Sequence, residues 1–264
     1  MLIISPLVMG NKQLNIKVDN LSFDYKSSST KAKVLNDISF EAQKGEFVAI
    51  LGPSGCGKTT LLYCLGGLLK PTNGQAQINE IKIENPEHSS IVFQEPLLLP
   101  WRNVFKNISY GAEMKKIPKK EISRITKKLI YLVNLKGFEK YYPHQLSGGM
   151  KQRVNLARGL ASDPEVLLLD EPFSHLDAMT REIMQKELLN IYHKTRKTFI
   201  LVTHDIEEAI YLADKVIVMS KRPGTIKKVI KINFRRPRDL SLKETKEFGI
   251  LRKKIWNLIS LKNV

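Results

Sequence analysis

Hydrophobic and polar positions in the first half of the chain predict strands around one helix. Apolar and polar residues alternate over residues 14–23, and two further apolar runs lie within residues 34–51, after the polar loop KSSSTKAK. Residues 59–69 have apolar helical character, and the turn PTNG then leads into a strand-like segment over residues 75–83. This half is therefore predicted to be rich in strands.

The second half of the chain alternates helices with apolar strands. Residues 115–138 form a basic segment whose apolar residues have helical spacing, which predicts a surface helix carrying Ile122, Ile125, Leu129, Leu132 and Val133 on one side. A helix over residues 150–160 precedes the strand VLLLD, and a helix over residues 178–193 precedes the strand TFILVTHD. Such alternation with short connections favours an α/β fold whose sheet is mostly parallel.

Two segments depart from this alternation. Residues 96–158 are mostly helical and interrupt it, which indicates an inserted subdomain. Residues 240–261 predict a basic amphipathic helix with one apolar face formed by Phe248, Leu251, Ile255 and Leu258.

The composition is that of a globular protein. The chain has 264 residues, 42% hydrophobic and 26% charged, and its two cysteines cannot form a disulfide framework, which favours a reducing compartment. The longest apolar run, residues 61–69, is shorter than the roughly 20 residues that a membrane-spanning helix needs. Residues 1–9 lack the basic start and cleavage site of a signal peptide, so we expect a cytoplasmic protein.

The formal net charge of +17 is concentrated in two segments. Residues 221–264 hold 14 basic and 3 acidic residues, and residues 113–140 hold 9 basic and 3 acidic ones. Nucleic acid, an anionic membrane face and an anionic small molecule are all compatible with such segments. A basic surface that is simply solvated is equally compatible, so charge alone does not select a partner.

The segment GPSGCGKT, residues 52–59, predicts a phosphate-binding loop between a strand and a helix. Its glycines let successive backbone N–H groups converge on phosphate oxygens at the start of the helix. Lys58 adds a charge for the β- and γ-phosphates, and Thr59 offers a hydroxyl to Mg²⁺. Nucleotide binding is therefore expected at Gly52, Pro53, Ser54, Gly55, Cys56, Gly57, Lys58, Thr59 and Thr60.

Two further motifs carry candidate chemistry. The buried strand before Asp170 and Glu171 delivers two carboxylates to the ligand-binding edge of the sheet, where Asp170 would hold Mg²⁺ and Glu171 would polarise the attacking water. Taken alone, they also fit a strand ending in exposed acids. In LSGGMKQR, Ser147, Gly148 and Gly149 form a second anion-binding helix start, although a lone SGG also fits an ordinary turn.

In their order and spacing, these motifs resemble the ATP-binding cassette family, the ATPases of ABC transporters, over residues 14–238. The resemblance implies an α/β P-loop NTPase (RecA-like) core sheet with an antiparallel β subdomain, formed by residues 14–95 and 159–238. It also implies an inserted α-helical subdomain over about 96–158, followed by a basic amphipathic C-terminal helix over residues 239–264.

The family pattern gives roles to five more residues. Gln94 in VFQEP matches the Q-loop glutamine at Mg²⁺ and the catalytic site, and Ser174 and Asp177 belong to the D-loop. His204 matches the switch histidine at the γ-phosphate, and Tyr25 matches an aromatic ring that stacks on adenine. Taken singly, Gln94 also fits a surface amide, His204 a strand-end histidine and Tyr25 a core aromatic.

The resemblance further implies a homodimer in which two cassettes pair head to tail. Each ATP would lie between the phosphate loop of one cassette and residues 147–149 of the other, so a monomer should hydrolyse ATP poorly. Two residues depart from the common pattern: Met150 replaces a glutamine, and His175 replaces an alanine. A role of His175 in tuning the dimer interface is a hypothesis.

Longer segments, among them FQEPLLLPWRNVFKNI and EPFSHLDAMTR, are similar to the importer branch that handles nitrate, sulfonates and taurine. Importers of bicarbonate and of pyrimidine or thiamine precursors are similar too. The branch implies a peripheral position on the cytoplasmic face of the membrane, integral permease subunits and, indirectly, a periplasmic or lipid-anchored substrate-binding protein. Residues 94–104, above all Leu98, Leu99, Pro100 and Trp101, would contact the permease, unless Trp101 belongs to the core.

Two alternatives to an importer remain. One is a cassette ATPase that acts on nucleic acid or the ribosome, suggested by the basic C-terminal segment. Because the chain holds no second cassette, long coiled coil or zinc-ligand cluster, we expect no nucleic-acid partner. The other alternative is an exporter cassette.

Overall fold

The computed structural model describes residues 14–26, 31–85 and 87–260. The interpretation of residues 1–9 and part of the predicted polar loop lie outside these ranges. The described strands are β1 (Leu14–Lys26), β2 (Lys31–Gln43), β3 (Phe47–Leu51), β4 (Asn73–Ile78), β5 (Ile81–Lys82), β6 (Ser89–Val92), β7 (Val166–Asp170), β8 (Thr198–Thr203), β9 (Lys215–Met219) and β10 (Ile226–Lys231).

The helices of the described ranges follow the predicted order. They are α1 (Lys58–Leu65), α2 (Val104–Met114), α3 (Lys119–Leu132), α4 (Gly148–Ala161), α5 (Ala178–Thr195), α6 (Ile206–Leu212) and α7 (Lys246–Ser260), with short 3-10 turns at Pro143–Gln145 and Leu240–Glu244. Within the described ranges, none of these helices combines the length and apolar character needed to cross a bilayer.

Two sheets form the framework. The six-stranded sheet has the order β10-β9-β3-β8-β7-β6, and all of its pairs are parallel except β10 with β9. The other sheet is antiparallel, in the order β2-β1-β4-β5. The predicted α/β class with a parallel core sheet and an antiparallel β subdomain is therefore confirmed.

Side chains on the two faces of the parallel sheet belong to two separate cores. In β3, Phe47, Ala49 and Leu51 join one core and Val48 and Ile50 join the other, as the alternation of a strand requires. Helices α2 to α7 contribute to the first core. The antiparallel sheet and α1 contribute to the second core. Burial on both faces explains why β3, β7 and β8 are continuous apolar runs.

Three helix predictions differ from the structure at their ends. The helix predicted over residues 115–138 is shorter, because Pro118 lacks an N–H and the helix α3 begins after it. The helix predicted over residues 59–69 ends at Leu65, where Gly67 adopts a φ of 69°. The segment predicted as one helix over residues 240–261 is a 3-10 turn followed by α7.

The C-terminal segment packs into the first core. Phe248 and Ile255 of α7 are buried there, and Arg252 pairs with Glu207 of α6 at 2.5 Å. Arg238, also buried, donates to the carbonyl oxygens of Tyr211 and Ala213 at the end of α6. Because orphan carbonyls at a helix end need donors, Arg238 stabilises α6 from the C-terminal segment.

Candidate functional site

The loop between β3 and α1 has the backbone of a phosphate cradle. Gly55 and Gly57 adopt φ values of 75° and 101°, in the left-handed region that favours glycine. A Cβ at Gly57 would lie 2.7 Å from Leu35 Cδ2, whereas nothing lies within 4 Å of a Cβ built on Gly55. The loop is therefore packed against Leu35 at Gly57 and open at Gly55, at the N-terminus of a helix where anions bind.

Lys58 is held at the mouth of this loop. Its side chain is only 6% exposed, and Nζ donates to the carbonyl oxygens of Gly52 at 2.9 Å and Pro53 at 3.2 Å. The same Nζ lies 3.8 Å from Glu171 Oε1. The ammonium is thus fixed between the loop and the end of β7, where it could contact the terminal phosphate of a bound nucleotide.

Thr59 and Asp170 come together although 111 residues separate them, since Thr59 Oγ1 donates to Asp170 Oδ1 at 3.0 Å. Burial raises the pKa of the Asp170 carboxyl, with a smaller increase from Glu171, while the Thr59 hydroxyl and Lys58 act in the opposite direction. A carboxylate that burial penalises in this way is well suited to a cation, and a hydroxyl with a carboxylate fits the oxygen preference of Mg²⁺.

The protein offers few oxygens of its own for this cation. Among the residues that the structure describes, no cluster of three or more His, Cys, Asp or Glu side chains is placed to hold a metal ion. A cation at Thr59 and Asp170 would therefore depend on phosphate oxygens and water for the rest of its coordination.

Glu171 and His204 face each other beyond Lys58. His204 Nδ1 lies 2.8 Å from Glu171 Oε2, and Glu171 has a φ of 42°, which is uncommon for a residue other than glycine. The backbone N–H of Glu171 donates to the carbonyl oxygen of Val202 in β8 at 2.9 Å. The Glu171 carboxylate thus lies between an ammonium and an imidazole, a position from which it could accept a proton from water.

Gln94 reaches this site through the turn after Glu171. Its Nε2 donates to Ser174 Oγ at 3.1 Å, and the Ser174 hydroxyl donates to the carbonyl oxygen of Glu171 at 3.0 Å. The amide side chain is thus linked to the backbone that carries Glu171.

Tyr25 lines the same cleft and does not belong to the core. Its ring is 49% exposed and contacts Phe23 edge-on at 4.9 Å between centroids. A cavity of about 320 Å³ lies between Tyr25 and the loop, lined also by Val34, Lys58, Thr59 and Glu171. The alternative interpretation of Tyr25 as a core aromatic is therefore wrong.

Arg222 lines this cavity as well and was not predicted from the sequence. Its Nε donates to the carbonyl oxygen of Lys33 at 3.1 Å, so the guanidinium is tied to β2 beside the cleft. The position of Arg222 in the sequence could have predicted this. Arg222 follows β9, a neighbour of β3, and the carboxyl ends of parallel strands lie at one edge of the sheet.

Ser147, Gly148 and Gly149 lie apart from this cavity. Ser147 caps α4, its Oγ accepting from the Met150 N–H at 3.3 Å. A Cβ built on Gly148 would contact Leu176, and one on Gly149 would contact Thr180. The helix start at residues 147–149 is therefore open to solvent beside the D-loop. None of these three residues lines the cavity at Lys58.

Asp177 caps α5, which follows the D-loop. Its Oδ1 accepts from the Thr180 N–H at 3.0 Å, and these hydrogen bonds lower the pKa of its carboxyl. Its neighbour His175 is exposed. Asp177 therefore fixes the end of the D-loop, the segment that runs beside residues 147–149.

The two cysteines fit the interpretation of small buried side chains. Burial raises the pKa of the Cys56 thiol and raises that of Cys64 to about 12. A thiol held neutral in this way is a poor nucleophile. The contribution of Cys56 to the cradle is therefore expected from its backbone.

Comparison with known proteins shows the family of this chain. A protein-family model described as ABC transporter matches residues 35–174. An uncharacterized ABC transporter ATP-binding protein from Methanocaldococcus jannaschii is 48% identical over 248 residues, covering 94% of this chain and 92% of that protein. An aliphatic sulfonates import ATP-binding protein from Bacillus cereus is 43% identical, covering 92% of this chain and 94% of that protein. A taurine import ATP-binding protein from Roseobacter denitrificans is 42% identical, covering 92% and 93%.

Solved structures share the fold. A protein from Clostridium perfringens that is part of an ABC transporter complex has a TM-score of 0.76 and 29% identity, covering 94% of this chain and 96% of that one. An ATP-binding cassette solved as a dimer in a post-hydrolysis state, bound to ADP and Pi, has a TM-score of 0.73 and 30% identity, covering 83% of this chain and all of that one.

The fold and the phosphate loop define the class of this protein as a P-loop nucleotide hydrolase. Within that class, the chain belongs to the ABC transporter family of ATP-binding cassettes. It binds ATP and is an ATPase whose hydrolysis is coupled to transport.

Proposed function

We propose that this cassette drives uptake of a small compound of the nitrate, sulfonate or taurine type through a membrane permease. The observation that carries this proposal is the identity of 42% to 43% with sulfonate and taurine import ATP-binding proteins over more than nine-tenths of each chain. The substrate class rests on these relatives alone, because residues of the cassette do not meet the transported compound.

The proposed site divides the work of hydrolysis among residues at the edge of the parallel sheet. The loop N–H groups and Lys58 bind the β- and γ-phosphates, and Tyr25 lies where it can stack on the base. Glu171 accepts a proton from the attacking water, while His204, 2.8 Å away, orients that carboxylate and contacts the γ-phosphate.

Thr59 and Asp170 would hold Mg²⁺, and Gln94 would join them as a ligand of the cation when ATP binds. The cation would neutralise charge on the phosphate oxygens, which the buried carboxyl of Asp170 favours. Gln94 at present binds Ser174, so its move to the cation would also change the turn after Glu171.

Residues 147–149 are proposed to act on the ATP of a second copy. Ser147 and Gly148 are exposed, and residues 147–149 do not line the cavity at Lys58 of their own chain, which supports a role in trans in a head-to-tail dimer. The similar cassette solved as a dimer with ADP and Pi supports the same arrangement. ATP would close this dimer, and hydrolysis would reopen it.

The permease is proposed to bind the surface around Trp101. Trp101 is 71% exposed and therefore not part of the core, and Pro100 and Leu97 are also exposed. Of the other two residues predicted for this contact, Leu99 is half-buried and Leu98 packs partly against the first core. An exposed aromatic and aliphatic patch of this kind marks an interaction site. The cassette would then lie on the cytoplasmic face of the membrane, with a substrate-binding protein acting on the far side of the permease.

Replacing Trp101 with alanine is expected to reduce membrane recruitment by about tenfold, because truncation of an interface aromatic costs on the order of 1 to 2 kcal/mol. The measurement is the fraction of the chain that sediments with membranes from cells carrying the native permease. Trp256→Ala is the matched control, since Trp256 of α7 is 61% exposed on another surface. Equal loss of membrane recruitment in both variants would contradict the proposal that the permease binds around Trp101.

Uptake itself tests the proposed function. In the native organism, deletion of the gene should abolish uptake of labelled taurine, alkanesulfonate or nitrate, and the wild-type chain but not Glu171→Gln should restore it. Normal uptake of all three compounds in the deletion strain would rule out the proposed substrate class. RNA binding by the purified chain would instead favour the nucleic-acid alternative, which is weakened because several C-terminal arginines are engaged within the chain.

A further inference from the structure

The turn that carries His204 is closed by three hydrogen bonds. The Asp205 N–H donates to Thr203 Oγ1 at 3.0 Å, and the Glu208 N–H donates to Asp205 Oδ1 at 3.1 Å. The Thr203 hydroxyl in turn donates to Glu208 Oε2. His204 therefore lies inside a ring of contacts that begins and ends at Glu208, on the first turn of α6.

Glu208 is a buried carboxyl that forms no ion pair with any described residue. It is only 4% exposed, and its Oε1 has no hydrogen-bond partner in the part of the chain that the structure describes. A buried carboxylate with an unpaired oxygen is strongly disfavoured, whereas a neutral acid is tolerated. The adjacent Glu207 differs, because its side chain is 41% exposed and its carboxylate pairs with Arg252.

The groups that face Glu208 favour the neutral form on balance. Burial raises the pKa of Glu208 to about 8. The hydrogen bond from the Thr203 hydroxyl and the charge of Arg181 of α5 lower this pKa, whereas the charges of Asp205 and Glu171 raise it. Arg181 Nη2 donates to the carbonyl oxygen of Leu176 at 3.0 Å, and Arg181 Nη1 lies 4.0 Å from Asp205 Oδ2. Arg181 also lines the small cavity beside Glu208, but it forms no ion pair with Glu208, and its buried Nε has no hydrogen-bond partner among the described residues.

Glu208 also lies directly behind the reacting side chains. A small cavity of about 40 Å³ is lined by Glu171, His204 and Glu208, together with Phe173, Ser174, Arg181, Thr203 and Asp205. A change in the charge or position of the Glu208 carboxyl would therefore alter the surroundings of both Glu171 and His204.

We propose that Glu208 is a positioning residue for ATP hydrolysis, which as the neutral acid fixes, through Thr203, the turn that presents His204 to Glu171. This inference rests on the proposed roles of Glu171 and His204. Ionisation of Glu208 would place a buried negative charge near Asp205 and Glu171 with no ion-pair partner, so the turn would shift and the Glu171–His204 pair would lose its alignment.

The first test is steady-state ATP hydrolysis by the full chain. Glu208→Ala is expected to lower kcat about tenfold and leave KM within about twofold, since positioning acts on the reacting geometry and not on nucleotide affinity. Glu208→Gln, neutral and of the same shape, should retain the larger part of kcat. Glu207→Ala is the matched control and should behave as wild type.

The second test is the pH profile of kcat, from about pH 6 to about pH 9.5. Because the raised pKa keeps Glu208 protonated below about 8, wild-type kcat should fall as the pH rises through that value. The Glu208→Gln variant has no proton to lose there and should lack this alkaline fall. Superimposable profiles for the two proteins would overturn the role of the neutral acid.

A further variant keeps the proposal testable if Glu208→Ala does not fold. Thr203→Val preserves shape and removes the hydroxyl, and it should also lower kcat without raising KM; wild-type kcat in this variant would overturn the route through Thr203. His204→Ala distinguishes failure of the proposed catalytic site from failure of the positioning role of Glu208. If His204→Ala hydrolyses ATP normally, the proposed catalytic site is wrong, whereas loss in His204→Ala with none in Glu208→Ala refutes only the positioning role.

Discussion

Glu171→Gln is expected to lower kcat for ATP hydrolysis by about two to three orders of magnitude while ATP binding persists. The amide keeps the shape of the side chain but cannot accept a proton from water. It also loses the charge that lies 3.8 Å from Lys58 Nζ and 2.8 Å from His204 Nδ1. A variant that binds ATP but cannot hydrolyse it should remain in the closed, head-to-tail dimer.

The mass of this variant in solution is the measurement we would make first. With Mg-free ATP, the Glu171→Gln chain of 30.2 kDa should shift from monomer to dimer, and without nucleotide it should not. A chain that stays monomeric with ATP bound would show either that Met150 and His175 weaken closure until a permease joins the cassettes, or that the roles of Glu171 and residues 147–149 are wrong. Retained ATPase activity in the variant would select the second explanation.

Glu165→Gln provides a closely matched control. Glu165 also pairs with a histidine, since its Oε1 lies 3.0 Å from His88 Nδ1, but it precedes β7 whereas Glu171 follows it. Loss of this pair should leave kcat within about twofold of wild type. Equal loss from both variants would mean that the effect of Glu171→Gln is one of stability.

The sequence was sufficient to predict residues that meet at one edge of the sheet. Thr59 and Asp170 are 111 residues apart, yet Asp170 ends β7 and Thr59 lies just after the loop that follows β3, and the carboxyl ends of such parallel strands converge. The phosphate loop was predictable for a related reason, because its glycines and Lys58 have local backbone and charge requirements that are visible in the sequence alone.

Other features depend on packing that the sequence does not reveal. Glu207 and Glu208 are identical neighbours in the sequence, and only the direction in which α6 packs on β3 and β8 decides that Glu208 is buried and Glu207 half-buried. Likewise, the spacing of apolar residues in the C-terminal segment predicted a helix but not its partner. The stacking of Phe248 on Phe234 in the first core required the tertiary fold.

Lys58→Ala is expected to weaken ATP binding at least about 100-fold, because the ammonium is the only side-chain charge of the loop and is already fixed in place before nucleotide binds. In the structure Nζ is held by the carbonyl oxygens of Gly52 and Pro53, so no ordering of the side chain is needed when phosphate arrives. Truncation removes this preorganised charge and leaves Glu171 facing the phosphates without its neighbour.

Thermal unfolding measured by calorimetry with and without ATP checks this prediction. At an ATP concentration of about 100 times the wild-type Kd, binding should stabilise the wild-type chain by about 2.7 kcal/mol and the variant by only about 0.4 kcal/mol. The melting temperature of each protein without ATP is the baseline, which separates lost binding from lost stability. Lys70→Ala, at an exposed lysine beyond α1, should keep the full ATP-dependent shift. An undiminished shift in Lys58→Ala would show that the loop N–H groups alone hold the phosphates, and the charge of Lys58 would then have to act on the transition state for hydrolysis.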